Sequence, residues 1–146
     1  MTPEVLVVGN VPVYAHPGDA GADITANETV VIAPGKRAMV STGLSIALPR
    51  GFVAFVVPRS GLALRHGITL VNSPGTIDAG YRGEIGVILL NTDSSEPFTV
   101  NVGDRIAQLV IQPVATVHFV PVNELPSTHR GSDGFGSTGT SSKGQQ

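Results

Sequence analysis

The 146-residue sequence contains no cysteine, which excludes disulfides, cysteine-ligated zinc and a cysteine nucleophile. It is also poor in charge. Asp, Glu, Lys and Arg make up 14%, against roughly 25% in an average soluble domain, and so little charge points to surface hidden against other subunits. The net charge of −2 leaves no basic face for a bulk nucleic-acid binder, although a few focused arginines suffice to hold a phosphate chain. No apolar run approaches the ~20 residues of a membrane span. The first residues, MTPEVLVVGNVPVYAHPGD, show no basic stretch leading to a small-residue cleavage site. Together these absences set the expectation of a cytoplasmic protein that binds neither nucleic acid nor membrane.

Sustained 3.6-residue periodicity is missing as well. In its place come short apolar, β-branched stretches at residues 5–8, 29–32, 38–41, 44–48, 52–57, 85–90, 98–100, 106–111 and 115–122. The turn signals HPGD, APGK, LPRG, NSPG, SSEP and NVGD separate them, and 11 prolines and 18 glycines punctuate the whole. This is the pattern of an all-β sandwich, jelly roll or barrel, about one domain long. One short helix is expected over 60–65, after Pro58-Arg59. Composition changes near Ser127, where 13 of the last 20 residues are Gly, Ser or Thr. The chain therefore reads as a β domain over 1–126 and a flexible arm over 127–146, which would order only on a ligand or a neighbouring subunit.

Five stretches hold the residues that could do chemistry, and each has a plain structural alternative. AHPGDAGADI (15–24) supplies turn carboxylates, or an Asp23 that holds the waters of a Mg²⁺ ion; the EF-hand spacing is not met. In VPRSGLALRHG (57–67), Ser60 suits a helix N-cap and Arg59 a surface charge. The same residues, with free helix-start amides, would also make an anion site. No carboxylate–His–Ser arrangement supports a hydrolytic triad. VNSPGTIDAGYRGEIG (71–86) is rich in ordinary hairpin-turn residues. Yet Asp78, with Tyr81 three residues on, would place a carboxylate beside an aromatic surface, as a general base for a bound water requires. Glycines on either side would let the backbone approach a flat ligand. GDRIAQLV (103–110) reads as a turn and then a strand, in which Gln108 either satisfies backbone groups or binds a water or phosphate. RGSDGFGSTG (130–139) has the spacing of a P-loop without its lysine. No strand precedes it and no helix follows, which excludes a P-loop nucleotidase, but glycine-rich amides and hydroxyls can wrap phosphates in a loop alone.

In this order, from Ala15 to Gly139, the five stretches resemble the five motifs of the trimeric, all-β dUTP pyrophosphatases (dUTPases). The resemblance implies a distorted jelly roll or β-barrel with one short helix, assembled as a homotrimer. Its sites would lie at subunit interfaces, with the glycine-rich arm reaching over a neighbour's site. The implied reaction is dUTP plus water giving dUMP and pyrophosphate, with Mg²⁺ on the triphosphate; it limits uracil incorporation into DNA and supplies dUMP for dTMP synthesis.

Carried over by motif position, Asp78 would deprotonate the water attacking the α-phosphorus and contact the sugar 3′-hydroxyl. Asn72 and the hairpin backbone Gly75, Thr76, Ile77 and onward to Tyr81 would read the uracil edge. Tyr81 would lie under the deoxyribose and exclude a 2′-hydroxyl. Arg59, Ser60, Gly61 and Gln108 would bind the α- and β-phosphates, and Asp23 would orient Mg²⁺ through water. In the last motif, Arg130 would pair with the γ-phosphate and Phe135 would stack over uracil. Ser132, Gly136, Ser137 and Thr138 would complete the phosphate contacts. Asp133 stands where the family commonly has a small uncharged residue, so it is expected at a solvent-facing turn. Two other readings compete. A dCTP deaminase-type enzyme on the related fold would need an acid/base set for attack on the base ring, which the hairpin stretch lacks. A non-catalytic trimer is opposed by the intact Asp78, Arg59 and Arg130.

Overall fold

The computed structural model describes residues 2–141, and the chain divides into two units, Met1–Thr116 and Val117–Gln146. The first unit is built from strands β1 (Leu6–Val8), β2 (Gly21–Thr25), β3 (Val30–Ile32), β4 (Arg37–Ser41), β5 (Ser45–Ala47) and β6 (Phe52–Val57), then helix α1 (Ser60–His66). Strands β7 (Ile68–Leu70), β8 (Gly75–Ile77), β9 (Gly86–Asn91), β10 (Phe98–Val100) and β11 (Arg105–Pro113) follow. They pair in four sheets with the orders β1-β5, β3-β10, β2-β11-β6-β8 and β4-β9-β7, and every pair is antiparallel. This is the expected all-β, jelly-roll-like fold with one short helix, built from separate ladders and not from a closed barrel.

Alternation along the strands directs apolar side chains inward. In β9, Val87, Leu89 and Asn91 point into the core, and all three are fully buried. Asn91 is tolerated there because its amide is satisfied. Its Nδ2 donates to the carbonyls of Ile32 (3.0 Å) and Glu96 (2.8 Å), and its Oδ1 accepts the Asp93 amide (3.0 Å). A buried polar group costs little once its partners are in place, and this one ties β9 to β3. Helix α1 buries none of its residues completely; it is held by Leu62, half-buried against the core, and by the His66 ring, 5.2 Å from that of Phe98. Gly67 ends it in the left-handed region at φ 64°, a conformation glycine adopts without strain. The Gly67 carbonyl in turn accepts from the Thr92 hydroxyl (2.7 Å) and amide (2.9 Å).

Eight of the nine expected apolar strands are present; the stretch 115–122 is the exception and forms no strand. Its residues have β-propensity, but a strand also needs an edge to pair with, and Val117, Phe119, Val120 and Val122 are all well exposed. Three strands were not expected. β2, β7 and β8 are short and interrupted by Gly, Asp or Thr, and their neighbours in the ladders impose the extended form. A second correction concerns Ser60, which is the first helical residue and not the N-cap. Arg59 takes that position, without a side-chain capping bond. In the second unit, residues 117–141 contain neither helix nor strand.

Leu89 is completely buried in β9, and Leu89→Ala is expected to lower stability by about 2–5 kcal/mol. Urea unfolding should report this as a shifted midpoint with an unchanged slope.

Candidate active site

Three neighbouring strands bring the predicted phosphate-side residues into one row. On β11, Gln108 stands opposite Asp23 of β2 on one side and Val57 of β6 on the other, and Arg59 follows Val57 by two residues. Asp23 exchanges its backbone hydrogen bonds with Val13 (2.8 and 3.1 Å). Its pairing with Gln108 is therefore the non-hydrogen-bonded kind, in which side chains lie closest. Gln108 Nε2 donates to Asp23 Oδ1 at 3.2 Å. Gly21 permits this, because a Cβ there would fall 2.9 Å from Gln108 Oε1.

Asp23 is only 7% exposed, yet it is compensated. Arg59 Nε lies 3.4 Å from Oδ1 and Arg105 Nη1 lies 3.9 Å from Oδ2. Arg59 also donates from Nη1 to the Arg105 carbonyl at 3.1 Å. A buried carboxylate between guanidinium groups is stable only while those partners remain, so the acid fixes where both arginines stand. Ser60 and Gly61 begin α1 directly after Arg59, where the first-turn amides lack helical acceptors. Arg105 was not singled out from the sequence. In a regular strand, residues three apart face opposite sides, which separates it from Gln108. A register shift between Arg105 and Ala107 bends the strand there, and both side chains reach Asp23.

The stretch 71–86 forms β8 and the loop beyond it. Gly75 is buried, with the Asn72 amide 3.3 Å and Val56 Cβ 3.4 Å from where its Cβ would be. Thr76, Ile77, Asp78 and Tyr81 line a cavity of about 260 Å³ together with Met39, Glu84 and Ile85. Asp78 and Tyr81 are exposed, and the Tyr81 amide donates to the Asp78 carbonyl at 3.0 Å. Glu84 was also missed from the sequence. Its carboxylate accepts from the Ser41 hydroxyl and from the Gly43 amide (2.7 Å). These bonds, the hydroxyl first, hold its carboxyl below the ordinary glutamate value of 4.5.

The structure thus forms two groups and does not merge them. Asp78 follows β8, whose Ile77 pairs with Ala54 and whose Gly75 pairs with Val56, so Asp78 is level with Val53. The Gln108 row crosses β6 at Val57, four residues away. At about 3.4 Å per residue the offset along the strand is roughly 13 Å.

In the second unit, Arg130 Nε donates to the Asp133 carbonyl (2.9 Å), and the Asp133 amide donates back to Arg130 O (3.2 Å). Asp133 is exposed at this turn. Ser132, Ser137 and Thr138 are exposed too, and Phe135 is fully exposed. Phe135 has a φ of 46° and Gly136 one of 92°.

The family model described as dUTPase matches residues 9–139. The chain belongs to the dUTPase family. Among dUTPase relatives, a deoxyuridine 5′-triphosphate nucleotidohydrolase of Leifsonia xyli subsp. xyli is 63% identical over 134 residues, covering 92% of this chain and 88% of that protein. The enzyme of the same name from Cutibacterium acnes is 57% identical over 141 residues, covering 97% and 93%. Among solved structures, a mutant dUTPase of Staphylococcus bacteriophage 80alpha with dUpNHpp superposes with a TM-score of 0.87 at 30% identity, covering 95% of this chain and 100% of that one. A mutant dUTPase of phage phi11 of S. aureus, described as coordinating a structural Mg(II) ion, gives 0.78 at 28%, covering 85% and 99%.

Removing the buried acid should loosen the Asp23–Gln108–Arg59 row. Asp23→Ala is expected to cost about 1–3 kcal/mol by taking the acceptor from the Gln108 amide and the carboxylate from Arg59 Nε, and Asp23→Asn less, as chemical denaturation would show. Because Glu84 has a lowered value in the fold, its stabilising contribution is complete above about 4.5 and is lost as pH falls through that lowered value. Glu84→Gln should remove part of the acid-side fall in melting temperature. A remainder should persist, since the Glu96 and Ser95 amides lower Asp93 in the same direction.

Proposed function

We propose that the chain hydrolyses dUTP to dUMP and pyrophosphate, with Asp78 as the base and the Asp23–Gln108–Arg59 row as the phosphate side. The observation that carries this reading is the row itself. It offers a half-buried guanidinium, an amide and the start of a helix on one strand face, while the separate loop after β8 presents an exposed carboxylate and a tyrosine. Asp78 takes a proton from a water whose oxygen attacks the α-phosphorus in line. The bond from that phosphorus to the oxygen bridging the β-phosphorus breaks, and pyrophosphate leaves with the electron pair. Such a step needs positioning and charge neutralisation more than covalent chemistry. Arg59, Ser60, Gly61 and Gln108 hold the α- and β-phosphates. Arg130, Ser132, Gly136, Ser137 and Thr138 close on the triphosphate, and Phe135 covers the base. Asn72 and the backbone of Gly75, Thr76 and Ile77 read uracil; a set of donors and acceptors matched to O4 and N3–H leaves the amino group of cytosine unpaired. Tyr81 excludes the ribose 2′-hydroxyl.

Among the described residues no cluster of three or more His, Asp or Glu could hold a metal directly. Asp23 already accepts from Gln108 and faces two arginines. This donor set suits a Mg²⁺ carried on substrate phosphates and met by Asp23 through water, where the ion would neutralise charge on the leaving pyrophosphate. The ~13 Å offset between Asp78 and the row supports a site shared between subunits, because one chain's base does not reach phosphates held by its own row. A homotrimer with such composite sites is the assembly we propose. No helix among the described residues is long and apolar enough to cross a membrane.

Pyrophosphate release measured for dUTP, UTP, dTTP and dCTP with Mg²⁺ tests the reading, and a strong preference for dUTP is the expected result. Equal rates on all four would sink it, and ammonia release from dCTP would favour deamination instead. Asp78→Asn should lower kcat by ~10²–10⁴-fold with nucleotide binding retained. Deleting the chain from Arg130 onward should leave the assembly intact and sharply reduce turnover.

A further inference from the structure

Tyr81 is 45% exposed, so core packing does not set its orientation, yet the proposed function asks it to act as a rigid wall under the sugar. Its contacts are few and local. The hydroxyl donates to the Glu84 carbonyl at 2.9 Å, and the amide is tied to Asp78. The ring lies over Gly83, where an added Cβ would fall 2.4 Å from the hydroxyl oxygen and 2.7 Å from the adjoining ring carbon. The ring therefore follows the backbone of residues 83 and 84.

That backbone is stitched to the corner between β4 and β5. Glu84 reaches across to take the Ser41 hydroxyl and the Gly43 amide. Next to it, the Ile85 amide donates to the Leu44 carbonyl at 2.7 Å, and the fully buried Thr42 gives its hydroxyl to the Ile85 carbonyl at 2.5 Å. The corner is held from its other side as well, where Glu28 accepts the Ser41 amide at 2.8 Å. Ile85 and Thr42 anchor the strand end, but Glu84 is the side chain that crosses from the exposed loop to the corner.

We propose that Glu84 is a positioning residue: by clamping the 83–84 backbone to the Ser41–Gly43 corner, it fixes Tyr81 as the wall that separates deoxyribose from ribose. The proposal rests on the dUTP-hydrolysing reading for its substrate consequence, but the clamp itself can be read without turnover. A wall displaced by about 1 Å can cost up to ~10²-fold in rate. Exclusion of one hydroxyl depends on that wall far more than phosphate binding does.

The test compares kcat and KM on dUTP and UTP for the wild type, Glu84→Ala, Glu84→Gln and Gly83→Ala. Glu84→Ala should lower the dUTP-to-UTP ratio of kcat/KM by roughly tenfold, about 1.4 kcal/mol. Glu84→Gln, whose amide oxygen still accepts from Ser41 and Gly43, should restore most of the ratio. Gly83→Ala, which pushes the ring directly, should reproduce the loss with the clamp intact. The sequence has two tyrosines and no tryptophan, so in a Tyr14→Phe background all tyrosine emission comes from Tyr81. Glu84→Ala should raise its quenching by acrylamide. Equal losses on dUTP and UTP would mean a merely structural role and would overturn the proposal, as would unchanged quenching. A wild type that turns over no dUTP would fail the functional reading alone, and the quenching result would still decide the clamp.

Discussion

A buried carboxylate organises the row of residues proposed to meet phosphate. Asp23 lies on the strand face between β11 and the Val13 bridge, where an uncompensated charge would be costly. Its compensation comes from three separate places in the chain: Gln108 on β11, Arg59 after β6, and Arg105 at the bulge that opens β11. The charge requirement of one side chain thus sets the positions of the groups proposed to meet phosphate. Gly21 is part of the same requirement, since the Gln108 amide occupies the space its side chain would take.

The 71–86 loop solves a different problem. It presents Asp78 and Tyr81 to solvent, where packing gives little support, and gains rigidity from hydrogen bonds to the β4–β5 corner. One side of the site is held by buried charge, the other by a polar stitch across the surface. The two sides tolerate substitution differently. The first fails through desolvation when a partner is lost, the second through drift of the backbone.

Much of this was legible in the sequence, because apolar alternation and turn residues act locally. The stretches 52–57 and 98–100 fall on strands with the same limits, and the helix after Pro58-Arg59 begins at Ser60 as expected and runs one residue further, to His66. What was not legible depends on partners. The 115–122 stretch has the residues of a strand but no edge to join within its own chain, and β2 with its Gly and Asp is a strand only because β11 lies beside it. Arg105 was hidden by a bulge that period-two counting does not foresee. Glu84 was not legible because its hydrogen-bond donors, Ser41 and Gly43, lie about forty positions earlier in the chain.

The offset between Asp78 and the Gln108 row has a genetic consequence. On the proposed arrangement, a chain defective in its base and a chain defective in its phosphate row each carry one sound half. Mixed in one assembly, they would create some interfaces where two sound halves meet. Two alleles that are each inactive alone would then complement each other, and a single damaged allele would poison only those sites to which it contributes the damaged half.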